Sequence, residues 1–468
     1  MKKTGLKLFF SYINTSIMRI RSPFYSQLLS LAIPIMIQNL LGSSLSFLDT
    51  LMIGQLGSNS IAAVGTANQV FFLVNLFAFG IASGTSVFLA RYYGAQNYSQ
   101  MQKITAFGIF ITLIGGTLWA LISLFLPEQI MHIFTTDAEV IQIGAEYQRI
   151  VAISYIFYAV GQTLSIGFRS IDRANIPLTA SIISLSINAV GNYLLIFGIG
   201  PFPELKVAGA AIATLLSRLI ELLFLIYFTV KKDVPFKIKT KAAFKWNATF
   251  LISYFKTSFP VFCNEMLWAL GMTCYKIAYS KLGVNALAAV SVTEAISNLF
   301  FVLSLGVGNA ATIMIGISLG KGDIEVTKTM AKRLIKVSLL IGFMMMGLML
   351  LLTPYIPRMF NVEQDVFAMI TSALIVIAIY QPIKSLNMTT IVGLFRGAAD
   401  TRFALCAEVF SVWAIGVPLT FLAAMAFHTP LWVVYLVQNM DEVAKTIISF
   451  FHMRTNKWIK MLPSESTN

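Results

Sequence analysis

The sequence predicts an all-α polytopic membrane protein with twelve transmembrane helices in two parallel-repeat six-helix bundles, and three observations predict it. Hydrophobic residues make up 57% of the 468 residues and charged residues only 12%, with a mean hydropathy of +0.78, far outside the soluble globular range. Lys and Arg cluster in every second connector between the apolar runs. A repeat with an offset of 226 residues relates the two halves of the chain.

The elements follow in order. Residues 1–27 form a cytoplasmic N-terminal segment with Lys2, Lys3, Lys7, Arg19 and Arg21, in which residues 6–20 are expected to lie on the membrane as an amphipathic helix. The apolar run after it is too long for a signal-peptide core. The N-terminal six-helix bundle, 28–230, has spans near 28–53, 61–89, 104–126, 140–166, 178–198 and 207–230. A basic cytoplasmic connector, 231–251, leads to the C-terminal bundle, 252–453. Its spans run near 252–280, 287–316, 334–353, 367–393, 403–425 and 430–452, and residues 454–468 form a cytoplasmic tail.

Basic residues fix the orientation of these spans. Grouping those within a turn of a span end with the neighbouring connector puts 26 Lys/Arg on the side of both termini. The other side holds three: Lys206, Lys281 and Arg358. That asymmetry requires an even number of spans and places both termini in the cytoplasm.

The duplication is read from matched residues. Pro34 matches Pro260, LGSNSIAAV at Leu56–Val64 matches LGVNALAAV at Leu282–Val290, and Gly94 matches Gly320. With one inserted residue, Phe168-Arg169 matches Phe395-Arg396. Six spans per half make both halves begin on the same side, so the repeat is parallel, an arrangement suited to alternating access.

Composition also removes function classes. A net charge of +14 would suggest nucleic acid in a soluble chain, but here it is the positive bias of one membrane face, and no nucleic-acid partner is expected. Cys263, Cys274 and Cys406 all lie in apolar segments and suggest no disulfide framework. Three scattered histidines give no metal-ligand spacing, so no metal site is expected. No phosphate-cradling glycine loop or nucleophile elbow is present, so neither a catalytic residue nor an enzyme is expected.

The candidate functional residues are the polar groups at membrane depth, because a charge there costs about 3 kcal/mol on insertion scales and must face protein or water. In the first span Gln38, Gly42, Ser46 and Asp49 recur at helical spacing, forming one stripe of small and polar residues. Asp49 is read as an ion-binding carboxylate, the plainer alternative being a helix-end aspartate at the interface. Asn188 and Asn192, four apart in the fifth span, supply amide oxygens, and Thr214 in the sixth adds a hydroxyl. Arg218 and Glu221 are spaced to neutralise each other.

In the seventh span Glu265 and Lys276 lie about 16 Å apart along the axis and cannot pair. Trp268, Met272, Tyr275 and Tyr279 share or flank that face, surroundings that suit an organic cation. Glu294, Lys384 and Glu408 are further intramembrane charges without an evident partner, while Asp441, Glu442 and Lys445 are spaced as an ion-pair cluster. The turns GFRSIDRANIP and LFRGAADTRFA place Arg169, Arg396 and Asp400 at equivalent points of the two halves, where they anchor helix ends or act as inner-gate hinges.

These residues resemble a known family. SLAIPIMIQN, FLDTLMIGQLG, the LGxxxxAAV repeat, INAVGNYLLIFG, VAGAAIAT, RGAADTRF and VWAIGVPL resemble the multidrug and toxic compound extrusion (MATE) transporters, over about residues 28–460. The resemblance implies two bundles around a V-shaped central cavity, and export of mostly cationic, amphipathic compounds against inward Na⁺ or H⁺ flow. It implies that Asp49 is the ion-coupling aspartate of the first helix and that Asn188 and Asn192 are the polar pair of the fifth. Asn at 192, where some branches have Asp, resembles the NorM-type branch. Glu265 stands in the helix that holds an acidic coupling residue in that branch, about a turn closer to the proline. Asp400 resembles the acidic residue of the family's RGxxDT turn.

The expected function is therefore a secondary active antiporter that exports small, mostly cationic organic compounds in exchange for Na⁺ or H⁺ by alternating access. The cation-binding residues would be Asp49, Asn188, Asn192 and Thr214, with Gln38, Glu265, Trp268, Met272 and Tyr275 facing substrate. The alternative is a flippase for lipid-linked oligosaccharide precursors; a membrane enzyme or receptor has no residues to support it. Expected partners are membrane lipids and a small organic cation, with the chain a monomer in the bacterial inner membrane. No cofactor is expected beyond the coupling ion, and a buried carboxylate among amide oxygens can take either Na⁺ or a proton.

Overall fold

The computed structural model describes residues 23–359, 363–427 and 429–460, and the amphipathic helix expected over 6–20 lies outside them. The first half comprises α1 (Pro23–Gly54), α2 (Ser58–Gly94), α3 (Tyr98–Phe125), the short α4 (Pro127–Phe134), α5 (Ala138–Val151), α6 (Ser154–Ser170), α7 (Asn175–Phe197) and α8 (Lys206–Lys231). The second half comprises α9 (Ala248–Ser280), α10 (Val284–Gly320), α11 (Ile324–Leu352), α12 (Gln364–Asn387), α13 (Thr401–Val409), α14 (Leu431–Gln438) and α15 (Met440–Arg454). Helix α12 continues as π-helix over Met388–Phe395, and α13 is prolonged to Ala426 by α- and π-helical turns around Pro418. No strand occurs among the described residues, as expected where backbone groups have no water to bond to.

Nine helices among the described residues are long and apolar enough to cross a membrane, and α5 with α6, bent by 48° at their break, makes a tenth. The seventh and twelfth expected spans are helical as well, as α9 and as α14 with α15. Their charges, among them Lys276, Asp441, Glu442 and Lys445, lower the apolar signal. The fold class is the one the sequence predicts.

The duplication is visible in the backbone. Helices α2 and α10 are both 37 residues long, and each is preceded by a glycine at positive φ, 110° at Gly57 and 101° at Gly283. Only glycine adopts that conformation without strain. The next helices start on equivalent caps: Asn97 Oδ1 accepts from Gln100 N at 3.2 Å and Asp323 Oδ1 from Val326 N at 2.9 Å. The left-handed residues Gln96 and Gly322 precede these caps, and Asp172 and Ala399 occupy the arginine turns, keeping the one-residue insertion.

By packing, the described residues up to Met36 and from Phe255 onward form one compact unit, and Ile37–Tyr254 form the other. This division by packing passes through α1 and α9. Pro34 and Pro260 lie within these two helices, where each removes one backbone donor. In the Ile37–Tyr254 unit one core gathers Phe88, Phe107, Phe168, Phe236 and Tyr254 and another gathers Val64, Val74, Tyr147 and Tyr155. The other unit is centred on Tyr275, Tyr279, Ile370, Leu374 and Val434.

Candidate functional site

Helices α7 and α8 approach closely because small residues meet between them. A Cβ on Gly191 would lie 2.9 Å from Cβ of Ala213, and one on Gly209 would lie 2.6 Å from the backbone of Leu195. At that separation short polar side chains span the gap. Asn188 Nδ2 donates to Thr214 Oγ1 at 3.1 Å, and Asn192 Nδ2 donates to Asn188 Oδ1 at 3.2 Å and to Asp49 Oδ1 at 2.5 Å. The structure thus brings together Asp49, Asn188, Asn192 and Thr214 from α1, α7 and α8.

Both asparagines are fully buried, and Asp49 is half-buried on α1. Asn192 Oδ1 is buried with no hydrogen-bond partner among the described residues. An acceptor left over beside a carboxylate, an amide oxygen and a hydroxyl is an oxygen donor set suited to a hard cation. Sequence reasoning missed Tyr147, which is buried on α5 with its hydroxyl toward Thr214 and near Asp49. Its only signal was a run of phenols at helical spacing, Tyr147, Tyr155 and Tyr158.

A second network lies further along the same helices. Arg218 Nη1 pairs with Glu221 at 3.0 Å, as the spacing predicts. Glu221 accepts from Ser181 Oγ at 3.0 Å, Ser181 accepts from Gln38 Nε2 at 2.7 Å, and Gln38 Oε1 accepts from Arg169 at 2.5 Å. Gln38, expected to face substrate, and Arg169, expected in a gate, therefore touch each other.

In the other unit, Glu265 is paired with Arg396 at 2.6 Å, both side chains being largely buried. This supplies the partner that the sequence did not identify and joins a candidate substrate residue to a candidate gate residue. Trp268 stacks on Phe301, and Met272 packs against the apolar core. Tyr275 does not join them: it is 2% exposed and donates its hydroxyl to Asp441 at 3.3 Å, which removes it from any open cavity. Asp400 is buried, bonded to His452 at 2.6 Å and to Lys460.

The remaining intramembrane charges find partners too. Lys276 pairs with Glu294 at 3.0 Å on a more exposed face. Lys445 is surrounded by Glu408 at 2.8 Å, Glu442 at 3.2 Å and Asp441 at 3.5 Å, and Lys384 adds a second positive charge near Asp441 and Glu442. Asn387 donates to Glu442 at 2.7 Å and accepts from Thr446 at 2.9 Å, closing the cluster.

A family model described as MatE matches residues 34–194 and 260–422, two segments that begin at the paired prolines. The chain belongs to the MatE family. This MatE chain is 24% identical over 433 residues to the uncharacterized transporter YisQ of Bacillus subtilis (strain 168), covering 92% of this chain and 95% of YisQ. It is 27% identical over 447 residues to the multidrug resistance protein NorM of Burkholderia vietnamiensis, covering 92% of this chain and 94% of NorM. A solved outward-facing structure of a multidrug resistance MATE family transporter of the MOP superfamily matches with a TM-score of 0.83 at 22% identity. That match covers 94% of this chain and 97% of the other. Within the MatE family the chain is NorM-like, as its residues suggest.

Proposed function

We propose that this MatE protein is a secondary active antiporter that exports small, mostly cationic organic compounds in exchange for Na⁺ or H⁺. The observation behind this reading is the set of Asp49, Asn188, Asn192 and Thr214, with Asn192 Oδ1 buried and unused. A cation entering there would be met by the Asp49 carboxylate and could draw on the amide and hydroxyl oxygens. Exchange then needs the cation and the organic compound to favour different conformations, since a ligand equally stable in both shifts nothing.

The rest of the reading goes with it. The protein is a multi-pass monomer of the bacterial inner membrane, with both termini cytoplasmic, no catalytic residue and no cofactor beyond the coupling ion. Support for export comes from the name of the Burkholderia relative, a multidrug resistance protein. The test is purified protein in liposomes with an imposed Na⁺ or H⁺ gradient and a fluorescent cationic dye. Gradient-driven dye movement is expected; inert dye together with transfer of a lipid-linked sugar between leaflets would instead establish the flippase reading.

A further inference from the structure

Arg218 lies four residues after Thr214 on α8, about 6 Å further along the axis. It does not reach up to the Asp49 set. Its guanidinium sits 4.9 Å over the ring of Tyr158 and 5.8 Å over that of Phe71, and it is drawn down onto Glu221 Oε2 at 3.0 Å. Tyr158 is fixed in turn by donating to Asn75 at 2.5 Å, and Glu221 Oε1 is held by Ser181 at 3.0 Å. Both members of the pair are shielded, with side chains 22% and 15% exposed, so water screens their charges weakly.

We propose that Arg218 is a positioning residue for the cation site: a tethered positive charge, held off Asp49 by Glu221, that sets how tightly a mobile cation binds there. This rests on reading Asp49 as the coupling-cation site. A fixed positive charge one turn of α8 beyond Thr214, which Asn188 and Asn192 link to Asp49, opposes the arrival of a second one, and Glu221 both neutralises Arg218 and holds it by a direct ion pair. The field of Arg218 reaches Asp49, Tyr147 and Tyr158. The tether is also tied to the helix that bears Asp49. Gln38, eleven residues earlier on α1 and so on nearly the same face, bonds Ser181 at 2.7 Å and Arg169 at 2.5 Å. The remaining charge of the network, Arg169, donates to the amide oxygen of Gln38, three turns of α1 away from Asp49, and also lies in the field of Glu221, so that carboxylate faces two arginines.

The roles of Arg218 and Glu221 are opposite in sign, which separates this proposal from simple packing. In liposomes, ethidium efflux is followed against inward Na⁺ at fixed pH and against inward H⁺ at fixed Na⁺, and the half-saturating concentration of each driving cation is read. Arg218→Gln is expected to lower that concentration about tenfold, and Glu221→Gln to raise it about tenfold. Arg218→Lys, which keeps the charge, should stay near wild type. Arg218→Met serves as a second neutral variant if Arg218→Gln is not monodisperse in detergent. Shifts of Arg218→Gln and Glu221→Gln in the same direction, or no shift in either, would overturn the proposal. Asp49→Asn is run in parallel. If it alone loses cation dependence while the neutral Arg218 variants match wild type, the positioning role falls and the cation site stands; if Asp49→Asn keeps wild-type dependence, both fall.

Discussion

Replacing Lys445 with methionine tests whether the charge cluster of α12, α13 and α15 holds its unit together. Lys445 is 3% exposed and its ammonium touches three carboxylates, Glu408 at 2.8 Å, Glu442 at 3.2 Å and Asp441 at 3.5 Å. At an effective dielectric of about 20, one such contact at about 3 Å attracts by roughly 5 kcal/mol before desolvation is subtracted. Methionine fills much of the lysine's volume, so the loss is electrostatic rather than a cavity. Three buried carboxylates would then face each other with only Lys384 near them, and breaking a buried pair of this kind costs about 3–5 kcal/mol. Lys328→Met is the control, since Lys328 pairs at 2.8 Å with Glu325, whose side chain is 83% exposed, and such surface pairs are worth about 0–1 kcal/mol. Thermal unfolding of the purified variants in detergent should show Lys445→Met melting several degrees below Lys328→Met. Adding Glu408→Gln to Lys445→Met should recover part of the loss, because one uncompensated charge is gone. Equal melting temperatures for Lys445→Met and Lys328→Met would refute the reasoning.

Three further outcomes are expected. Gly191→Leu drives a side chain into Ala213, already 2.9 Å from the position of a Cβ, and should cost about 1–3 kcal/mol while weakening cation dependence of efflux by parting Asn188 from Thr214; a folded variant with wild-type dependence would disprove the link. Glu265→Gln takes the carboxylate from Arg396, whose side chain is 3% exposed, and should lower the melting temperature more than Glu294→Gln, whose partner Lys276 is 59% exposed; the reverse order would contradict the pairing. Single cysteines at Asn59 and Lys241, in a variant lacking Cys263, Cys274 and Cys406, should react with an impermeant label from opposite sides of the membrane; labelling of both from outside would overturn the proposed orientation.

The sequence made legible whatever repeats along one helix or between the halves. The matched glycines Gly57 and Gly283 and the arginine turns reappear as matched geometry, and the structure adds the caps Asn97 and Asp323 at the same offset. The fourfold spacing of Asn188 and Asn192 put their amides on one face, and Arg218 with Glu221 paired as spaced. What could not be read was the rotation of one helix against another. Glu265 meets Arg396 and Lys445 meets Glu408, partners from helices far apart in the chain that no periodicity connects. Tyr275 looked like a neighbour of Glu265 because both lie on one broad helix face, but its hydroxyl reaches Asp441 instead.

The central claim is that the Asp49 carboxylate takes the coupling cation. Asp49→Asn keeps the shape and an oxygen for Asn192 Nδ2, now bonded at 2.5 Å, while removing the charge, so the variant should fold and stay monodisperse. The deciding measurement is its cationic-dye efflux in liposomes under an imposed Na⁺ or H⁺ gradient, beside wild type. The account predicts that gradient-driven efflux is abolished; wild-type rates would make Asp49 only a helix-end aspartate and would contradict the account.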